Sequence, residues 1–122
     1  MYFLTILSTS LVALIALLHV YILILEMFLW DKPRGLRTFG HSREVAATSK
    51  VLAANQGLYN GFLAAGLFWG IYLGNSGHNI IIFFLSCILV AGLYGGFTAK
   101  RKILFIQALP AAIALALVLL QA

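Results

Sequence analysis

Residues 2–30 read YFLTILSTSLVALIALLHVYILILEMFLW, and this stretch decides the fold class. It holds no lysine, arginine or aspartate, with one histidine (His19) and one glutamate (Glu26) in an otherwise apolar run. The hydrocarbon core of a bilayer takes about 20 mainly apolar helical residues, and this run exceeds that length. Three further segments meet the same ruler, at about 44–74, 80–98 and 103–121. The expectation is an all-α polytopic membrane protein, with four transmembrane helices in an up-down-up-down bundle forming one domain over residues 1–122. Short connections make consecutive helices antiparallel neighbours.

Composition agrees. Of 122 residues 63% are hydrophobic and 9% charged, with a mean hydropathy of +1.05. Soluble domains carry roughly 25% charged residues, so an ordinary globule, a disordered chain and a nucleic-acid binder are excluded. The net charge of +5 follows the connections instead of forming one basic surface. Lys32, Arg34, Arg37, Arg43 and Lys50 lie in or beside loop 31–43, and Lys100, Arg101 and Lys102 in loop 99–102. The positive-inside rule then makes both basic loops cytoplasmic and puts both termini outside, in the cell membrane. Trp30 marks the inner interface; Trp69, Tyr72 and Tyr2 mark the outer one. The single cysteine, Cys87, forms no intramolecular disulfide.

Punctuation fits these limits. Pro33 and Gly35 follow the first helix, Ser42 caps the second, Gly74-Asn75-Ser76-Gly77 ends it, and Asn79 caps the third. Pro110 marks a kink in the fourth. Small residues recur at four-residue spacing as Ala53, Gly57, Gly61 and Ala65, and again as Gly66, Gly70 and Gly74; Gly92 and Gly96 follow. Such stripes let helix backbones approach closely, within one chain or across a homo-oligomer seam.

Polar groups inside an apolar span are costly and face a protein interior or a cavity. His19 and Glu26, seven residues apart, share one helix face about 10 Å apart along the axis. Lys50, Asn55, Gln56 and Asn60 on the second helix are the expected partners. Counting from the connection gives two tiers: a Glu26–Lys50 charge pair near the inner interface, and a deeper His19–Asn55–Gln56–Asn60 hydrogen-bond cluster. Lys50 snorkelling to the interface is the plainer alternative for that residue. His41 and His78 read as solvated loop residues. Neither a metal nor a cofactor is expected: one histidine with one carboxylate is an incomplete metal set, and no phosphate loop or nucleophile elbow is present.

The segment His19 to Trp30, followed by Lys32-Pro33-Arg34-Gly35 and Phe39-Gly40, resembles the first half of a small bacterial and fungal membrane family, domain of unknown function 1304. The run Lys50-Val51-Leu52-Ala53-Ala54-Asn55-Gln56-Gly57-Leu58-Tyr59-Asn60-Gly61-Phe62-Leu63-Ala64-Ala65-Gly66 is similar to its second signature. The resemblance implies a compact polytopic membrane protein and makes His19, Glu26, Asn55, Gln56 and Asn60 the positions to test. It implies no activity. The residues themselves favour a transporter or ligand-binding protein, taking a small amphipathic or cationic compound among membrane lipids, with Glu26 as its proton-coupled charge. A structural or partner-binding subunit ranks second, and an intramembrane enzyme on a lipid-like substrate third.

Overall fold

The computed structural model describes residues 2–121; Met1 and Ala122 of the expected 1–122 domain lie outside them. The described residues form helices and no strand. In chain order these are α1 (Tyr2–Met27), α2 (Pro33–Phe39), α3 (Arg43–Tyr72), a 3₁₀ turn (Gly74–Gly77), α4 (His78–Thr98), a π turn (Leu104–Ala108) and α5 (Leu109–Leu120). The chain divides into two compact units, residues 17–64 and residues 1–16 with 65–122. The second half of α1, all of α2 and most of α3 build the former.

Three boundaries differ from the sequence reading. The connection after α1 is not plain loop. Pro33 opens α2, where its fixed φ suits the first turn of a helix, and Gly40 closes it with φ 68°. Ser42 does cap α3, its Oγ accepting from Val45 N at 3.2 Å. Helix α4 begins at His78 without a side-chain cap, so Asn79 does not serve as one. The break expected at Pro110 takes another form. The Leu109 N–H donates to the carbonyl of Leu104, five residues back, and the π turn absorbs the missing proline donor one turn early.

In the unit of residues 17–64, α1 and α3 approach through glycine. A Cβ at Gly57 would stand 2.6 Å from Met27 Cγ and 3.2 Å from the carbonyl oxygen of Leu23, and one at Gly61 would stand 2.6 Å from Leu23 Cδ1. Leu25, Ala46, Ala53 and Ala64 are buried here. In the other unit Gly66 lies under the Phe84 ring, Gly70 under Ile81, and Gly92 against the backbone of Ala108. Leu85, Ile88, Ala111 and Ala114 are fully buried. Gly57, Gly61, Gly66 and Gly70 are thus covered by the chain's own side chains, whereas Ala65 is exposed and Gly74 has nothing within 4 Å.

Two helical stretches, Tyr2–Met27 and Gly74–Thr98, are long and apolar enough to cross a membrane, whereas Leu104–Leu120 is shorter. Only 28% and 22% of their most apolar windows are buried, whereas a soluble protein's core helix would be mostly covered. Helix α3 has the length but not the apolarity, because Asn55, Gln56 and Asn60 interrupt it.

Candidate functional site

The candidate site lies wholly within residues 17–64. His19, on α1, is fully buried. Two turns further on, Glu26 is half-buried and its Oε1 accepts a 2.7 Å hydrogen bond from Asn60 Nδ2 on α3. The same amide nitrogen donates to the main-chain oxygen of Gln56 at 3.1 Å. Both amide hydrogens are thus committed, which fixes the carboxamide's orientation. Gly57 makes this reach available, since any side chain there would meet Glu26 Cβ at 3.1 Å. Among the described residues Glu26 Oε2 and Asn60 Oδ1 accept no bond, which leaves two acceptor oxygens beside one carboxylate charge.

The expected Glu26–Lys50 pair is a correction. Lys50 Nζ instead binds Asp31 Oδ2 at 3.0 Å. The depth count failed because α3 starts at Arg43 and its first turns run alongside the chain below α1. Lys50 therefore meets Asp31, while Glu26 meets the Gly57–Asn60 level about two turns higher. The two expected tiers are thus rearranged: Asn60 leaves the histidine tier to bind the carboxylate, and Asn55 and Gln56 present exposed side chains.

Trp30, Arg34 and His41 take partners that the sequence did not indicate. Trp30 Nε1 donates to Ser49 Oγ at 3.1 Å, and the Trp30 ring packs 4.8 Å from Phe39 and 4.2 Å from His41. His41 Nε2 lies 3.2 Å from the Trp30 carbonyl oxygen, so His41 is built into the fold and not merely solvated. Arg34 Nη1 donates to the Tyr21 hydroxyl at 3.1 Å. The usable signal for these was Pro33 at the head of a helix, which folds the connection back toward α1.

The Lys50 ammonium, hydrogen-bonded to the Asp31 carboxylate, holds that carboxyl below its ordinary value of 3.8. A depressed folded-state pKa adds stability that is present above the unfolded value and lost as pH falls through the folded one. The stability difference between wild type and Lys50→Met is therefore expected to hold at neutral pH and to shrink below 3.8. Because the pair is exposed, salt should shrink it as well. A difference that grows on acidification would contradict the pairing.

Residues 13–119 match the family described as "Protein of unknown function (DUF1304)". The chain belongs to that family. Every residue of the Glu26–Asn60 site falls inside the matched DUF1304 stretch. Among curated proteins, it is 35% identical over 105 residues to "Uncharacterized protein YpaA" of Lactococcus lactis subsp. lactis, covering 84% of this chain and 88% of that protein. No solved structure matches it.

Proposed function

We propose that this DUF1304 protein is a four-span membrane protein that binds, and moves, a small amphipathic cation at Glu26. The observation carrying this reading is the 2.7 Å Asn60–Glu26 bond, which leaves a carboxylate oxygen and an amide oxygen as neighbouring acceptors. Two acceptors and one negative charge suit a cationic ligand that donates hydrogen bonds. Glu26 serves as the charge that exchanges ligand for proton.

The membrane setting rests on exposed apolar surface. Phe3, Leu14, Leu52, Phe62, Phe83, Val90, Phe105 and Ile113 are all exposed, which brings apolar surface onto every long helix. Patches of that extent do not face water in monomers. In this reading α1, α3, α4 and the π turn with α5 are the spans, both termini are outside, and loops 31–43 and 99–102 are cytoplasmic. Lys50 sits at the inner boundary, and α3 enters lipid near Val51.

Proteoliposomes holding wild-type protein should take up ethidium, a fluorescent amphipathic cation with amino donors, when a pH gradient is imposed. Glu26→Gln keeps an acceptor for Asn60 while removing the charge, so folding should persist and uptake should fall at least about tenfold, the loss of one charge-assisted contact. Uptake unchanged in Glu26→Gln removes the coupling role. No uptake by wild type, with melting temperature sensitive to Asn60 substitution, favours a packing role for the polar residues.

A further inference from the structure

The unit formed by residues 1–16 and 65–122 contains a cavity of about 120 Å³ that the Glu26 site does not use. Its polar lining is Thr5, Ser8 and Thr9 of α1, Asn75 and His78 at the 3₁₀ turn and the head of α4, and Gln121 beyond α5. Gln121 Nε2 donates to Ser8 Oγ at 2.6 Å, and Ser8 is only 4% exposed. One side of the wall, Thr5, Ser8 and Gln121, is therefore joined by hydrogen bonds. His78 Nε2 is buried and has no hydrogen-bond partner among the described residues. A buried polar atom left unpaired costs free energy, and a cavity beside it is where a partner would sit.

We infer that this cavity is a second binding site, for a small uncharged molecule carrying both hydrogen-bond donors and acceptors, such as a simple amide. Three features fix the class. The lining offers hydroxyls, carboxamides and one imidazole, which donate and accept. It contains no lysine, arginine, aspartate or glutamate to balance an ion. The volume of about 120 Å³, against the roughly 10–15 Å³ that one water needs by the same measure, admits a small organic molecule. Thr5, Ser8, Thr9 and Gln121 all lie outside the family match at 13–119, so this site is a property of the chain beyond what the family pattern covers. It does not depend on the Glu26 reading.

The test titrates acetamide into protein labelled with ¹⁵N-histidine in lipid nanodiscs, the His78 signal being assigned by its absence in His78→Asn. The His78 ring-nitrogen resonances should shift saturably with acetamide and not with acetate, its charged counterpart of the same size. Ser8→Leu fills the cavity and should abolish the response. Asn75→Leu, on an exposed turn where folding tolerates change, should weaken it about three- to tenfold, the worth of one hydrogen bond. An absent wild-type shift, or one unaltered in Asn75→Leu, overturns the site. An equal response to acetate overturns the uncharged class.

Discussion

Gly35→Ala is expected to destabilise the protein by about 3 kcal/mol, the upper end of overpacking costs. The added methyl would be driven into the backbone carbonyl of Leu29, and would also stand 3.0 Å from that of Trp30. A flexible side chain can rotate away from such a contact; a main-chain carbonyl cannot. Helix α2 would have to lift, and with it Phe39 and His41, which pack against the Trp30 ring. The readouts are a lower thermal midpoint and a red-shifted Trp30 emission, measured in a Trp69→Phe background. Gly95→Ala serves as control, because a Cβ there meets Ile103 side-chain carbons at an ordinary 3.5 Å. A helical glycine replaced without a clash should gain about 0.5–1 kcal/mol. Equal midpoints for Gly35→Ala and wild type would refute the close approach of α2 to the end of α1.

Asn60→Leu is the second large effect, with an expected loss of about 2 kcal/mol, the worth of a hydrogen bond to a charged group. The substitution leaves the half-buried Glu26 carboxylate without its amide donor. Removing one partner of such a pair costs more than removing both, because the survivor keeps its desolvation penalty. The double variant Glu26→Leu/Asn60→Leu should therefore recover most of the loss. A double-mutant cycle in thermal or denaturant unfolding measures this coupling. Additive effects of the two substitutions would mean that the contact contributes nothing specific.

Much of this arrangement is legible from residues alone. Helix length and the positions of Pro33, Ser42 and Gly74 gave the long helices, because capping and turn chemistry act locally. The polar face of α1 was visible because His19 and Glu26 stand alone in apolar sequence, and Asn60 was already among their partners. The partner of Lys50 was not legible. Register between α1 and α3 depends on how residues 28–42 fold, and a connection holding its own helix offsets the count by about two turns. Asp31 read as a loop charge for the same reason. His41 and His78 lay in connections, where nothing in the sequence distinguishes a histidine packed on tryptophan or lining a cavity from one in solvent. The π turn at Leu104–Ala108 was signalled only by Pro110, whose missing donor is equally compatible with a kink.

The Glu26 reading requires α3 to carry Asn55, Gln56 and Asn60 across the bilayer despite their polarity. Spin labels placed singly along residues 51–72 in a Cys87→Ser background, reconstituted in liposomes, measure this directly by comparing collisions with oxygen and with a water-soluble nickel complex. Exposed positions such as Leu52, Leu58 and Phe62 should be reached by oxygen and not by nickel, and labels at Ala53 and Ala64 should be reached by neither. Nickel access continuing through the whole of 51–72 would place α3 in water and contradict the four-span account.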